Sequence, residues 1–566
     1  MKVTLTTPWQ RLWRLLAAEK TLLTRVFLIA GFGGLVSLSL PLGIQAIINF
    51  IQAGRLSTSW IILVIFVLSG IVASGWLVIR QQWLIEFFQQ RVFARASLEF
   101  SLRIPRIDFQ TLEKKNAVEM VNRFFDVLAI QKGLSKLIID FSTSLLQVFF
   151  GLVLLALYHP FFIIFDLVIV VLVLTLIRMS MKKGLETSLR ESNWKYKVVG
   201  WLEEMAVNVE TLRMTPKSTI GVTKTDEMTT NYVQARRDHF KVLVRHYLAL
   251  LLFKFLVAAG LLILGGLLVI EREIGIGQFV AAEIVILLII TSVEKIIMNL
   301  ESVYDVLTAL EKVGAVTDLE LEDPGRVTEF SQTASLLLVE DLDIKNGPYM
   351  TEISCERLEI KAGERVFIQY SNPLFVRTLL LAFTGRVKDY QGHILFRGRA
   401  LKSIDLNAFR AQIGELWGRD ELITASIIDN VKAGRLNVST TAVEQTLQRI
   451  GLIKEIRQLP EGENTMVLPF STMISPVITK GILLARNVID NPDLLLIDAE
   501  QLPSDPVRYK QMLDYLLDPQ HPWAVIFLSE SRPDARLFDT YYKHEDGQLL
   551  PCNPDDLGAT NSVVYA

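Results

Sequence analysis

Residues 60–79 read WIILVIFVLSGIVASGWLVI and contain no charged side chain. A helix needs about 20 apolar residues to cross the hydrocarbon core of a bilayer, so this stretch predicts a membrane span. Five other stretches in the first part of the chain are comparably long and apolar. The six predicted spans cover about Thr24–Ile51, Trp60–Trp83, Leu137–Tyr158, Pro160–Met179, Leu248–Ile270 and Phe279–Met298.

The composition narrows the class of protein. The chain has 566 residues, is 51% hydrophobic and carries a formal net charge of −2. A near-neutral chain has no basic field to attract nucleic acid, so a nucleic-acid partner is excluded and the lipid bilayer is the expected partner. The two cysteines, Cys355 and Cys552, are too few for a disulfide framework and are typical of a reducing compartment.

Basic residues mark one side of the membrane. The connections between spans 2 and 3 and between spans 4 and 5 are long and rich in lysine and arginine. Their basic residues include Arg91, Arg95, Arg103, Arg106, Lys114 and Lys115, then Lys182, Lys183, Lys195, Lys197, Arg236 and Arg237. Because basic connections stay inside, both termini and both long connections are predicted to be cytoplasmic.

The first 20 residues precede the first span. Trp9, Leu12, Trp13 and Leu16 recur on one helical face, which predicts an interfacial elbow helix lying on the membrane over residues 1–20. The alternative interpretation is a solvent-facing cap on a cytoplasmic helical bundle.

The two long connections are themselves helical in pattern. Arg91–Ser135 and Lys182–His246 contain only Pro105 and Pro216 as helix breakers, so the spans are predicted to continue beyond the bilayer as helical hairpins. Six spans with two long internal hairpins resemble the exporters of the ABC transporter superfamily. The membrane half, residues 21–312, most resembles transporters of type I secretion systems, which implies a bacterial inner (plasma) membrane.

Two hairpin segments resemble the coupling regions of that family. They are Ile104–Phe109 and Gly200–Glu204, the latter continuing to Leu212. The resemblance implies that residues at these tips touch the ATPase domain. The residues concerned are Ile107, Asp108, Phe109, Glu203 and Glu204.

Three charged residues fall within the apolar runs: Asp166, Lys254 and Glu283. A charge at the bilayer centre costs roughly 2.5–3.5 kcal/mol, so such residues usually face a cavity or pair with one another. Lys254 and Glu283 are predicted to pair and to line a translocation path. The alternatives are a purely structural ion pair, or side chains that reach the membrane interface.

After a linker at residues 313–334, the composition changes. Short β-type runs at Ser335–Leu342, Arg357–Ile360, Arg365–Gln369 and Gly392–Phe396 alternate with helical stretches, which predicts an α/β domain over residues 335–566. The frame Ile360–Ile368 resembles the strand pair that enters an ABC phosphate loop, and later landmarks, such as Asn491–Asp498, follow in the family's order. The resemblance therefore implies the fold class of a six-helix membrane domain followed by an α/β, P-loop-like ABC nucleotide-binding domain.

The phosphate-loop segment, residues 370–378, departs from the family's pattern. A phosphate loop needs glycines whose N–H groups surround the phosphates, a lysine for the β- and γ-oxygens, and a Ser or Thr for Mg²⁺. The segment reads YSNPLFVRT, so it has no glycine, Val376 replaces the lysine and Arg377 replaces the Ser or Thr. Arg377 and Thr378 remain as weak candidates for nucleotide contact.

Other positions of the same family pattern are also substituted. Gly418 stands where a glutamine would bind metal, Ala499 stands at the catalytic glutamate, and Glu530 stands at the switch histidine. Ser475 of the signature and Asp498, the metal-binding aspartate, are kept. Tyr349 is the nearest aromatic to the adenine position. The sequence therefore predicts no intact catalytic residue, no metal site, and a doubtful fit for the cofactor the resemblance implies, ATP with Mg²⁺.

Two functions follow from the resemblance. The first is an exporter-like transport subunit that acts as a homodimer, or as a heterodimer with another ABC half-transporter. It would move a peptide, protein, lipid or hydrophobic cargo with weak or absent ATP hydrolysis of its own. The second is a catalytically silent pseudo-transporter that serves as a membrane scaffold or as a docking platform for a periplasmic secretion adaptor. A soluble α/β enzyme tethered to a membrane bundle is disfavoured, because no Ser/His/Asp set or zinc spacing stands out.

Overall fold

Six helical segments are long and apolar enough to cross a membrane, which confirms the predicted number of spans within the described residues. The structure is a computed structural model that describes residues 7–52, 58–113, 117–322, 325–330, 335–345, 351–418, 421–469, 474–532 and 537–557. Lys114, Lys115 and Tyr349 lie outside these ranges. The chain divides into two units, of which the first comprises Met1–Ile107 and Thr111–Glu320 and the second comprises Asp108–Gln110 and Leu321–Ala566.

The described residues of the first unit form helices that are joined by short turns. Its longer helices are α1 (Pro8–Ala18), α2 (Lys20–Ser37), α3 (Ser39–Gln52), α4 (Thr58–Arg103), α7 (Asp126–Tyr158), α8 (Pro160–Val207), α10 (Ile220–Gly260), α12 (Ile276–Met298) and α13 (Leu300–Thr317). Short helices α5 (Phe109–Glu113), α6 (Ala117–Asn122), α9 (Val209–Arg213) and α11 (Gly266–Ile270) lie between them, α5 beginning at the boundary of the units.

The helices extend well beyond the length that a bilayer requires. α8 has 48 residues and α4 has 46, whereas about 20 suffice for a span. The surplus lies in the two basic connections, so the predicted helical hairpins are confirmed. Tyr304 of α13 lies in one core with residues of α8 and α10 and is 1% exposed. A Cβ on Gly184 would lie 2.2 Å from the Tyr304 ring, so glycine permits this close approach between α8 and α13.

Two spans are interrupted rather than continuous. The first predicted span divides at Leu38, between α2 and α3, and Pro41 lies in the first turn of α3, where its missing N–H is tolerated. The fifth passes through a π-helical turn at Leu261–Gly265 before α11.

The second unit has the predicted α/β character. Its strands are β1 (Ser335–Ile344), β2 (Ile353–Lys361), β3 (Arg365–Gln369), β4 (Gln391–Phe396), β5 (Arg399–Ala400), β6 (Ile413–Leu416), β7 (Ala425–Ser426), β8 (Met466–Val467), β9 (Leu494–Asp498), β10 (Ala524–Ser529), β11 (Thr540–Glu545) and β12 (Gln548–Pro551). Its helices are α14 (Pro373–Phe383), α15 (Leu406–Arg410), α16 (Ile427–Lys432), α17 (Thr440–Arg449), α18 (Ile453–Arg457), α19 (Pro476–Val488) and α20 (Pro506–Leu516).

Ten of the strands form one mixed sheet in the order β5-β4-β1-β2-β12-β11-β3-β10-β9-β6. The strands β11, β3, β10, β9 and β6 are parallel to one another, and β1 pairs antiparallel with β2 and β4. Successive residues of β9 point to opposite faces, so Leu494 and Leu496 enter one core while Leu495 and Ile497 enter the other. α14 packs on the first core and α19 on the second.

Candidate functional site

The candidate site lies at the carboxyl edge of three neighbouring parallel strands. β10 pairs with β3 on one side and with β9 on the other, so the three strand ends meet at one edge of the sheet. Tyr370 follows β3, Asp498 ends β9 and Glu530 follows β10. Ligands of parallel α/β sheets usually bind at such an edge, because loops and helix N-termini converge there.

The first turn of α14 uses its N–H groups within the chain. Asn372 caps the helix, and its side-chain oxygen accepts a hydrogen bond of 2.9 Å from the Leu374 N–H. The Asn372 carbonyl accepts hydrogen bonds from the Phe375 and Val376 N–H groups at 3.1 and 3.4 Å. Pro373 has no N–H to offer. The donors that a helix N-terminus would present to an anion are therefore already bonded.

The next residues of the 370–378 segment face the core. Phe375 is 1% exposed, and its ring stacks on His544 with centroids 3.6 Å apart. Val376 is 3% exposed in the same core. Thr378 is fully buried, its hydroxyl donating to the Leu374 carbonyl at 3.0 Å and lying 2.5 Å from the Thr351 hydroxyl. Arg377 is half-buried on the same helix.

Tyr370 contacts Asp498 at this edge of the sheet. The Tyr370 hydroxyl donates a hydrogen bond of 3.2 Å to Asp498 Oδ1, and its side chain is 3% exposed. Burial raises the pKa of Asp498 to about 6, and the carboxylates of Glu500 and Glu530 add to the rise. Burial and the nearby Asp498 also raise the pKa of Tyr370. The sequence did not predict this contact, because it depends on the distance between residues at the ends of two separate strands.

The raised pKa of Asp498 makes a prediction about stability. A carboxyl whose folded pKa is raised contributes fully to stability below about pH 4, and the contribution is lost as pH rises through about 6. Asp498→Asn keeps an acceptor for Tyr370 without the charge. It should stabilise the protein by on the order of 1 kcal/mol at pH 7.5, and by roughly a third of that at pH 4.5.

Thermal unfolding of the full chain in detergent at both pH values measures this difference. The control is Asp505→Asn, because Asp505 caps α20 by accepting from the Arg508 N–H at 2.8 Å and asparagine caps a helix equally well. A variant Asp498→Asn that is less stable than the parent at pH 7.5 would contradict the assignment.

The kept signature residue lies on the other face of the sheet. Ser475 caps α19, and its hydroxyl accepts from the Ile478 N–H at 3.3 Å. Further along α19, the Lys480 ammonium donates to the carbonyls of Glu500 and Leu502, both at 3.1 Å. Within one chain, Ser475 is therefore not brought together with the 370–378 segment. Among the described residues, no three or more His, Cys, Asp or Glu side chains form a group that could hold a metal ion.

The first predicted coupling segment belongs to both units. Ile107 is 3% exposed in the first unit. Asp108, assigned to the second unit, lies 2.5 Å from the Lys388 ammonium, and Phe109 packs against the core that contains α14. In the second segment, Glu203 accepts a hydrogen bond from Asn122 and Glu204 is exposed.

The intramembrane ion pair differs from the predicted one. The Lys254 ammonium lies 2.6 Å from Glu294 Oε1, so the predicted pairing of Lys254 with Glu283 is corrected. Glu283 and Glu294 are eleven residues apart on α12, which is about 16 Å along the helix axis, and one lysine cannot reach both. Glu283 is half-buried and Asp166 is 8% exposed.

Comparison with known proteins gives consistent matches along the chain. Residues 23–293 match the family description "ABC transporter transmembrane region". The uncharacterized ABC transporter ATP-binding protein YknV of Bacillus subtilis is 22% identical over 546 residues, covering 90% of this chain and 86% of that protein. The phosphonates import ATP-binding protein PhnC of Trichormus variabilis is 30% identical over 180 residues, which are 31% of this chain and 71% of the relative.

A solved structure of a bacterial Atm1-family ABC exporter with ATP bound has a similar fold. Its TM-score is 0.85, and the match covers 96% of both chains at 15% sequence identity. At that identity the likeness establishes the architecture, six spans followed by an α/β domain.

Proposed function

The chain belongs to the ABC transporter family, and from that premise we propose that it is an exporter-type half-transporter, a dimeric transport subunit with weak or absent ATP hydrolysis of its own. The cargo class is a peptide, protein, lipid or hydrophobic compound. The relationship to type I secretion transporters and the degenerate nucleotide site are parts of this proposal.

The packing of the 370–378 segment carries the proposal. In the family's pattern, a lysine at position 376 would reach the β- and γ-phosphates and glycines would open the loop around them. Here Val376 and Phe375 are core residues, and Asn372 occupies the N–H groups of the first turn. A triphosphate would have to break the Asn372 cap and would still find no cation at position 376.

The residues at this edge do not fit Mg-ATP on electrostatic grounds either. Asp498 is hydrogen-bonded to Tyr370 and to the Glu500 N–H, and its pKa is raised to about 6 by burial beside Glu500 and Glu530. Both hydrogen bonds are accepted by Asp498 Oδ1, so this oxygen could bind Mg²⁺ only by giving them up. The exposed Glu530 adds negative charge where a γ-phosphate would lie. Ala499 supplies no group to orient a water molecule.

A second subunit does not restore the site. In the family, each ATP lies between the phosphate loop of one domain and the signature of the other. A homodimer would therefore repeat the same substitutions twice. A partner with intact motifs would still face the altered signature at one site and the altered 370–378 segment at the other.

Exposed apolar side chains at the tip of the second hairpin support dimer formation. Val207, Met214 and Val222 are 79%, 80% and 77% exposed within this chain. Clustered apolar exposure on the soluble part of a protein marks an interaction surface. We assign this tip to contact with the second subunit.

ATP hydrolysis by the purified full chain in proteoliposomes tests the silent site. The expected rate is at the background level with Mg²⁺ present, and Asp498→Asn should leave it unchanged. ATP should also leave the thermal unfolding midpoint unshifted, because a ligand stabilises only the state to which it binds. Mg²⁺-dependent turnover that Asp498→Asn abolishes would refute the proposal.

The scaffold function remains the second candidate, because the same substituted site suits a protein that does not cycle. Labelling of Glu283→Cys, in a Cys355→Ala, Cys552→Ser background, separates the two. A transporter should become labelled by a membrane-impermeant maleimide added on either side of the vesicle. A fixed scaffold should become labelled from one side at most.

A further inference from the structure

A groove between α2 and α4 of the membrane unit lies outside every site described above. Its volume is about 550 Å³, and its principal lining residues are Arg25, Leu28, Trp76, Arg80, Trp83 and Phe87. The four apolar residues of this set are each more than half exposed: Leu28 58%, Trp76 55%, Trp83 62% and Phe87 58%. The groove combines two guanidinium groups with a broad aromatic surface.

The two arginines lie at the same depth in the membrane. Arg25 immediately precedes the apolar run of the first span, and Arg80 immediately follows the charge-free residues 60–79 of the second. The first two spans run in opposite directions, so these positions meet at one boundary of the hydrocarbon core. The positive-inside pattern assigns that boundary to the cytoplasmic leaflet. Tryptophan side chains commonly lie at the same level, where one part of the ring is apolar and another is hydrated.

The positive charges of Arg25 and Arg80 have no acidic residue beside them in the described lining of the groove. Among the described residues that line it, none is acidic. The Arg80 guanidinium lies 4.8 Å from the centroid of the Trp76 ring, which holds it at the groove wall. Two guanidiniums at one level repel each other and favour an anion between them, and their planar forks match the oxygens of a phosphate.

A second, apolar hollow continues from the first along α4. It has a volume of about 620 Å³, shares Trp76 and is lined by Ile65, Leu68, Ser69, Val72 and Ala73. These positions repeat at three- and four-residue intervals, so they form one helix face. The Ser69 hydroxyl donates a hydrogen bond of 2.7 Å to the Phe66 carbonyl, so the hydroxyl on this face is already hydrogen-bonded within α4. From Ile65 to Trp76 the face runs about 16 Å, roughly half of the 30 Å hydrocarbon core.

We propose that this groove binds one anionic phospholipid of the cytoplasmic leaflet. The phosphate lies between Arg25 and Arg80, and one acyl chain follows the Ile65–Trp76 face of α4 towards the bilayer centre. The cytoplasmic leaflet supplies anionic headgroups at this depth. A second copy of the chain covering the groove would instead bury two guanidiniums that lack an acidic partner in the lining, which is unfavourable. The inference is independent of the state of the nucleotide site.

Lipid binding to the full chain in detergent tests the proposal, with phosphatidylglycerol, phosphatidylcholine and inorganic phosphate as probes and native mass spectrometry as the readout. Phosphatidylglycerol should bind. Phosphatidylcholine should bind at least about tenfold more weakly than phosphatidylglycerol, and inorganic phosphate should not be retained. Arg25→Gln/Arg80→Gln should weaken phosphatidylglycerol binding about tenfold or more. Val72→Trp should also weaken it, because the ring fills the acyl face while both charges remain.

The matched control is Arg237→Gln/Arg245→Gln, which removes two exposed arginines of α10, outside the groove. It should bind phosphatidylglycerol like the parent. Equal binding of the two lipids, equal weakening by the control pair, or a disulfide between the two subunits of a Trp76→Cys dimer would each overturn the assignment. The disulfide would mean that a second copy covers the groove.

Discussion

Val376→Lys is expected to destabilise the second unit by about 3–5 kcal/mol and to create no ATP hydrolysis. The substitution restores the lysine of the family's phosphate loop by sequence, but Val376 is 3% exposed in the core on which α14 packs. An ammonium there would lose its hydration without a carboxylate to replace it. For a unit of about this size, the loss corresponds to a fall of roughly 10 °C in the unfolding midpoint. Faster hydrogen exchange in peptides from residues 365–383 would locate the damage in α14 and β3.

Leu374→Lys is the matched control, because Leu374 is two residues away on the same helix and is 44% exposed. It adds the same charge where water can solvate it, so the stability should change by no more than about 0.5 kcal/mol. If Val376→Lys were as stable as Leu374→Lys and bound ATP, the segment would be an ordinary phosphate loop lacking a single residue. The stated packing of Phe375 and Val376 would then be wrong.

Packing as well as residue identity decides whether one substitution could give the 370–378 segment a nucleotide contact. A point substitution at a phosphate loop leaves an open loop that lacks one contact. In this chain the 370–378 segment makes contacts of its own: the Asn372 cap, the Phe375–His544 stack and the Tyr370–Asp498 hydrogen bond. Each stabilises the closed segment, so restoring one nucleotide-binding residue does not by itself reopen the site.

The architecture was predictable because it depends on quantities that a sequence displays directly. A run such as residues 60–79 is long enough for a bilayer and carries no charge, so a span follows from length and composition alone. The helical hairpins follow from the scarcity of proline between the spans. The identity of the residues at positions 370–378 follows from their order after the strand that ends at Gln369.

The contacts of the site were less predictable, because they depend on distances between separate elements. The sequence placed Tyr370 in the phosphate-loop segment and Asp498 at the family's metal-binding aspartate, but it did not predict the hydrogen bond between them. It kept Thr378 as a candidate nucleotide contact, whereas the structure places that hydroxyl in a buried pair with Thr351. Hydropathy likewise identified Lys254 and Glu283 as charged residues within apolar runs. It does not give the rotation of α10 relative to α12, which decides which glutamate lies next to Lys254.

Lys254→Met is expected to destabilise the membrane unit by about 2 kcal/mol, since it leaves Glu294 within the bundle without its ammonium partner. The cost is smaller than that of a charge at the bilayer centre, because both side chains keep about a third of their exposure, 33% for Lys254 and 34% for Glu294. Glu294→Gln should cost a similar amount, and Lys254→Met/Glu294→Gln should recover most of the loss. The difference from additivity, measured as unfolding midpoints in lipid nanodiscs, should be about 3 kcal/mol.

The parallel cycle with Glu283→Gln decides between the two possible partners of Lys254. Glu283 lies about 16 Å from Glu294 along α12, beyond the range at which separate substitutions influence each other, so its effect should add to that of Lys254→Met. Coupling of Lys254 to Glu283, with none to Glu294, would restore the pair expected from hydropathy and would require a different rotation of α12. Because Lys254 pairs with Glu294, Glu283 remains the acidic candidate for the translocation path. Position 283 is also the one that the maleimide experiment labels, as Glu283→Cys.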